Sequence, residues 1–366
     1  MDEINHTPLV KVYMPPKAVL MPELEKVLYS GMLAEGQLVY DFENQFSVKF
    51  GLSNVLAFSS GTAALHTSLL LAGVGEGDEV ISTPMTAEPT NTSILYCGAK
   101  VMWADIDPAS GNLDPESVER SITPKTKAII VVHYGGYPAR LGELREIADK
   151  YGISLIEDCA HALGAIYGGR EVGKVGDFSI FSFQAIKHMT TIDGGVLAIK
   201  NPDLLVAAKK IRWFGMLKGV PRTEIDISSV GYKYNMNNVT AAIGLVQLMN
   251  ISNILDKHKC NGRYFDSSIS KIAGLDFAKC DQTSESSYWL YTLLSEYSDD
   301  IERALNSENI QASKLHRPNN KHSIFLDSNK DLPGVDKFYR RLLHIPCGWW
   351  VTDEKREEII SILRKG

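Results

Sequence analysis

Residues 126–160, TKAIIVVHYGGYPARLGELREIADKYGISLIEDCA, decide the fold. The stretch opens on the β-branched run AIIVV at 128–132 and closes on a second apolar run, SLI at 154–156. Between them, 140–151 (RLGELREIADKY) reads as a helix. Both strands lack polar alternation, as strands buried on both faces do. Strand, helix and strand in this order form the unit of a parallel sheet.

The pattern continues outward. GVGEGDEVIST (73–83), GDFSIFSF (176–183) and GGVLAIK (194–200) each carry a short β-branched or aromatic run. LVYDFENQFSVKF (38–50) places Phe42, Phe46 and Phe50 at i, i+4 and i+8, an amphipathic helix facing a core. Residues 61–71, small and apolar, read as a buried helix. The pattern changes near 240, where 239–260 (VTAAIGLVQLMNISNILDKHKC) reads as one long helix. Beyond it, short strands (WLYTLL, 289–294) mix with helices (EKREEIISILRK, 354–365). The expectation is an α/β large domain over 1–245, with a mostly parallel sheet flanked by helices. A smaller α+β domain follows over 246–366, and the first fifteen or so residues pack on it.

Composition narrows the function. The chain has 366 residues, is 44% hydrophobic and carries a formal net charge of -6. A globular protein of this balance lacks the basic face that nucleic acid or a membrane surface requires. Runs such as AIIVV are too short to cross a membrane, and MDEINHTPLVKVYMPP lacks a signal-peptide core. The five cysteines are scattered and never paired as CxxC, so neither a disulfide framework nor a metal site is expected, and a reducing cytoplasm fits.

In open α/β sheets ligands bind at the carboxyl ends of the strands. SSGTAALH (59–66) is a small, hydroxyl-rich loop opening a helix. Free amides at that end favour a phosphate, Gly61 allows close approach, and Ser60 and Thr62 add hydroxyls. A plain helix cap by Ser60 explains the same residues. LIEDCAHALGA (155–165) ends an apolar strand on Asp158, a carboxylate that is costly there without a cationic or donor partner. A protonated ring nitrogen is such a partner, and His161 is placed to reach a ring hydroxyl. FSFQAIKHMTTIDGG (181–195) sets Lys187 in neutral, largely apolar surroundings that favour its nucleophilic free amine, with Ser182 five residues before it.

As a set, SSGTAALH, IEDCAHALGA, GDFSIFSFQAIKHMTTIDGG and GYKYNMNNVTAAIGLVQL (231–248) resemble the sugar aminotransferases of pyridoxal-5'-phosphate (PLP) fold type I, the DegT/StrS group. The resemblance runs in order from about residue 20 to 250. It implies a homodimer with shared active sites, and transfer of an amino group, usually from glutamate, to a nucleotide-linked keto sugar in surface-polysaccharide or lipopolysaccharide synthesis. A keto-octulosonate-type acid sugar without a nucleotide is the alternative acceptor. Carried over by position, Lys187 is the Schiff-base lysine, Asp158 the partner of the pyridine nitrogen and His161 the neighbour of the ring hydroxyl. Gly61, Thr62 and Ser182 form the phosphate cup. Ala87, in TPMTAEPTN, stands where many members stack an aromatic ring on the cofactor. Lys233 stands where many have an asparagine reaching the neighbouring subunit's PLP phosphate. Asn235 replaces a common arginine and Asp193 a common glutamate, departures that point to a subgroup.

Three other readings compete. Some members of the group are dehydratases with histidine in place of the lysine, and His188 is one residue away; spacing from Ser182 and to Gly194 selects Lys187. A nicotinamide dehydrogenase needs a glycine fingerprint after its first strand, whereas GVGEG at 73–77 precedes one. A non-catalytic sensor on the same fold has no need of the lysine–aspartate pair.

Overall fold

The computed structural model describes residues 6–328 and 330–365. The strands are β1 Val55–Phe58, β2 Glu79–Ser82, β3 Lys100–Trp103, β4 Thr126–Val132, β5 Ser154–Asp158, the short hairpin β6 Ile166–Tyr167 and β7 Arg170–Glu171, β8 Phe178–Ser182, β9 Gly195–Ile199, β10 Asp276–Phe277, β11 Tyr291–Leu294 and β12 Leu342–Ile345. The helices are α1 Lys17–Leu28, α2 Gln37–Phe50, α3 Gly61–Leu71, α4 Glu88–Tyr96, α5 Pro115–Arg120, α6 Leu141–Tyr151, α7 Leu205–Arg212, α8 Asn238–Ile269, α9 Ser298–Ser307, α10 Pro333–Arg341 and α11 Asp353–Leu363.

The main sheet runs β1-β9-β8-β5-β4-β2-β3. The pairs β2/β3, β2/β4, β4/β5 and β5/β8 are parallel, while β9 is antiparallel to both β8 and β1. The unit β4–α6–β5 is the strand–helix–strand stretch quoted above. Its apolar strand residues are all buried because helices cover both faces: α3 on one side, α2 and α6 on the other. Phe42 and Phe46 of α2 meet Phe183 edge-to-face, Phe46 also meets Phe181, and Phe50 packs tilted on Phe46, as their spacing predicts.

The long helix α8 extends nine residues beyond Cys260. Its first part buries Ala241, Leu248, Ile251 and Leu255 against the phenylalanines of α2. Its last part buries Phe265 and Ile269 in a second core with β11, β12 and α11. A division at 246 therefore falls within one continuous helix that carries the chain from one core into the next. Alone, α8 is long and apolar enough to cross a membrane, but 61% of its most apolar window is buried in the protein. Its apolar stripes are thus accounted for by packing. Of the first fifteen residues, 1–5 lie outside the described residues. Thr7 bridges to Ile310 of the second core and Leu9 packs with Trp289 and Leu290, whereas Tyr13 packs on the first core, so the described part of this segment touches both.

Candidate active site

The carboxyl ends of β1, β2, β4, β5 and β8 open on one cavity of about 340 Å³. Ser60, Gly61 and Thr62 enter it after β1, Thr86 and Ala87 after β2, Asp158 and His161 from β5, and Ser182 and Lys187 from β8. Eight of the nine residues singled out for the cofactor thus meet in one place, although up to 127 residues separate them in sequence.

Two adjacent buried carboxylates end β5, and strand alternation sends them to opposite faces. Glu157 is saturated. It accepts the amides of Gly173, Val175 and Gly176, at 2.7, 2.8 and 2.5 Å, and lies 3.3 Å from His133 Nε2. Burial works to raise its pKa, but His133 and these amides hold it below the ordinary range. Cys159 completes a potential ligand trio with these two. However, His133 Nδ1 already accepts the Ala139 amide, so the trio reads as a brace for the 173–176 loop. Asp158 is less compensated. Among the described residues it accepts the Thr90 hydroxyl, at 2.9 Å, and the Ala160 amide, at 3.1 Å, and no other bond. Burial raises its pKa against these bonds and the charge of Lys187. A buried carboxylate left in that state still favours a cationic N–H donor.

His161 has the complementary defect. It is 3% exposed, and its Nδ1 has no hydrogen-bond partner among the described residues. Burial and the Lys187 charge hold the imidazole neutral, well below its usual pKa. An orphaned buried ring nitrogen is costly unless a ligand supplies its partner.

At the opposite end of the cavity, Ser60 caps α3 by accepting the Ala63 amide at 3.0 Å. The cap reading and the phosphate reading are compatible, because a hydroxyl that accepts can still donate its proton. A Cβ at Gly61 would come within 2.9 Å of Ser182 Cβ. One at Gly195, between Phe58 and Ser182 in the sheet, would come within 2.6 Å of the Gly61 amide nitrogen. The two glycines keep open a cup formed by the start of α3 and the Ser182 hydroxyl. Helix amides with a hydroxyl rim suit a phosphate.

Lys187 is partly exposed, and its side chain lines this cavity. Burial brings its pKa from 10.5 down to about 7, opposed by Asp158. A large fraction of the amine is therefore unprotonated near neutrality. His188 points the other way: its Nε2 lies 3.1 Å from the Ser287 carbonyl and its ring packs on His258. The rival with histidine at the reactive position therefore lacks the geometry.

PLP fits these groups. In that fit Asp158 would take the ring nitrogen, His161 the ring hydroxyl, the Gly61–Ser182 cup the phosphate, and Lys187 the aldehyde. Gly61→Val is expected to fill the cup and weaken PLP binding by about tenfold or more. Cofactor titration by absorbance checks this, and unchanged affinity contradicts it.

Several cavity residues escaped the sequence reading. Trp289 precedes β11, and His316 follows the second core's Ala312. His316 lies with its ring parallel to His161 at a centroid distance of 6.3 Å. Neither carries a local motif. Thr90 was also missed, although its place one turn into α4 sends its hydroxyl to Asp158. Ala87 lines the cavity without an aromatic ring, as its sequence position implies. Lys233 does not enter the cavity of its own chain. It is exposed, lies 3.9 Å from the Trp213 ring centroid and donates to Asn235 Oδ1 at 3.0 Å.

A glycine-opened, hydroxyl-rimmed helix start, a buried carboxylate and a depressed-pKa lysine at the strand ends are the groups that a PLP enzyme of fold type I would use. The chain belongs to the DegT/DnrJ/EryC1/StrS aminotransferase family, whose model matches residues 17–364, and it is a PLP-dependent transaminase. The spore coat polysaccharide biosynthesis protein SpsC of Bacillus subtilis is 31% identical over 360 residues, covering 93% of this chain and 92% of SpsC. The sugar aminotransferase CalS13 from Micromonospora echinospora superposes with a TM-score of 0.94 at 34% identity, covering 98% of this chain and 99% of CalS13. Spr1654 from Streptococcus pneumoniae, solved in a PLP form and a PMP form, has a TM-score of 0.91 at 26% identity and covers 98% of this chain; the coverage of Spr1654 is 98% in the PLP form and 97% in the PMP form.

Proposed function

We propose that this transaminase moves an amino group from L-glutamate to a nucleotide-linked keto sugar in the cytoplasm, for surface-polysaccharide or lipopolysaccharide synthesis. The observation that carries the reading is the joining of Lys187, Asp158, His161 and the Gly61–Ser182 cup in one cavity. Sugar aminotransferase CalS13 and the polysaccharide protein SpsC support the substrate class.

Bound there, PLP supplies an aldehyde carbon for amino exchange and a ring that takes up an electron pair. Lys187 holds the cofactor covalently until the donor amine displaces it. Its freed amine then removes the proton from the donor α-carbon, and in the return half-reaction delivers a proton to the former carbonyl carbon of the sugar. Asp158 keeps the ring nitrogen protonated, His161 fixes the ring hydroxyl, and Ser60, Gly61, Thr62 and Ser182 hold the phosphate. The test is to present the PMP-loaded enzyme with nucleotide-linked keto sugars and with keto-octulosonate-type acids. Return of the PLP spectrum only with the nucleotide-linked set is the expected result; return only with the free acids overturns the acceptor class.

The same reading includes a homodimer in which Lys233 of each chain reaches the phosphate held by the other. Exposed apolar side chains support an interface: Leu28, Tyr29, Met32 and Leu33 at and just after the end of α1, and Phe214, Val220, Ile227 and Val230 in the loop before Lys233. The Ser59 amide donates to the Tyr234 carbonyl at 2.7 Å, tying the Lys233 strand beside the phosphate cup while its side chain faces outward. Lys233→Ala is expected to lower PLP retention by roughly ten- to a hundredfold, corresponding to the 1.5–3 kcal/mol of a charge-assisted contact, with the dimer intact. Unchanged retention removes the role of Lys233; a fully active monomer removes the shared site.

A further inference from the structure

Three contacts converge on Lys187 from the segment 287–289 of the second core. Trp289 Nε1 donates to the Ile186 carbonyl at 2.9 Å, one residue before the lysine. The Ser287 carbonyl lies 3.1 Å from His188 Nε2, one residue after it. Between these two fixed neighbours, Lys187 Nζ lies 4.0 Å from the centroid of the Trp289 ring. The same indole stacks on His161, with centroids 4.1 Å apart and planes at 22°. Trp289 is 2% exposed, so its own position is fixed by packing against Leu9 and Leu290.

We infer that Trp289 is a positioning residue for the reaction: it sets the Lys187 nitrogen over its π face and favours the protonated form of that nitrogen while the lysine carries the cofactor. The inference rests on the reading of Lys187 as the cofactor lysine. An aromatic face attracts a cation, most strongly when the ring is tryptophan and the contact is desolvated. A protonated nitrogen makes its attached carbon the better electrophile for the incoming donor amine. The indole therefore works against the desolvation that otherwise removes the proton, in the same direction as Asp158.

The titratable groups around Lys187 are Asp158, His161 and His316 in the cavity, which Asp193 also lines, and the adjacent His188, whose ring turns away from it. Burial holds the three histidines below their usual range, His316 at about 4. They therefore remain neutral through the window in which the lysine nitrogen titrates, and a shift there is not theirs.

The test is the pH titration of the visible absorption band of the PLP-loaded enzyme, with Lys187 attachment checked by borohydride reduction and peptide mass mapping. Trp289→Leu is expected to lower the titration midpoint by about 0.5–1 pH unit, and Trp289→Phe, which keeps a weaker aromatic face, by less. A packing role alone would reduce stability without this ordered shift. If Trp289→Leu does not fold, the Trp-to-Phe difference carries the test. Midpoints that coincide with wild type, while Lys187 still takes the label, overturn the inference. A wild-type label on another lysine overturns the reading of Lys187 itself, and the inference with it.

Discussion

Lys187→Ala is expected to abolish transamination while the fold survives. The lysine is the only one lining the cavity, and its ammonium makes no salt bridge among the described residues. Its recorded partner is the Trp289 face, a contact whose loss leaves the buried indole bonded to Ile186. The loop around it is held by the Lys187 amide on the Gln184 carbonyl and the Thr191 amide on the Phe183 carbonyl, neither of which needs the side chain. Chemically the loss is double: the covalent attachment and the proton carrier both go. Removal of a positioned acid–base group alone is worth about 10²–10⁴-fold in rate. Steady-state transamination beside a thermal unfolding curve measures both halves of the claim. A substantial residual turnover contradicts the assignment; unfolding at a much lower temperature contradicts its non-structural character.

Asp158→Asn is expected to reduce the rate by on the order of 10²-fold or more with PLP still bound. The amide is isosteric and can keep both local bonds, its oxygen accepting the Ala160 amide and its NH2 donating to Thr90 Oγ1. It removes a charge whose pKa burial already raises, so the fold loses little. What it cannot do is hold the ring nitrogen protonated, and the electron sink weakens accordingly. Single-turnover rates of the loaded variant decide: a wild-type rate means that Asp158 is not the ring partner. The contrast with Glu157, one residue away, is instructive. Both are buried carboxylates at the end of β5, but Glu157 is fully bonded to backbone and His133, so only Asp158 retains an unmet demand.

The sheet and the strand-end residues were legible because their signals are local. AIIVV and SLI carry the apolarity of doubly covered strands, the phenylalanines of α2 repeat at helical spacing, and each strand hands over to a small or polar residue at the cavity. The antiparallel β9, inserted between β1 and β8, was not legible, since strand order depends on contacts across the chain. Past Cys260, where the sequence pattern of α8 stops, come Asn261 and Gly262, both poor helix formers. In the fold, Asn261 Nδ2 donates to the carbonyls of Cys347, Gly348 and Val351, and Gly262 leaves room for the Tyr288 ring. Trp289 and His316 were illegible for the same reason: they reach Lys187 and His161 from over 100 residues away, through the docking of the second core.

The central claim is that Lys187 is the residue that takes the cofactor. Borohydride reduction of the PLP-loaded enzyme, followed by proteolysis and mass mapping, tests it most directly. Loss of the visible band and a single phosphopyridoxyl-modified peptide carrying Lys187 are expected. Modification of another lysine, or an unmodified digest from enzyme that bound PLP, contradicts it.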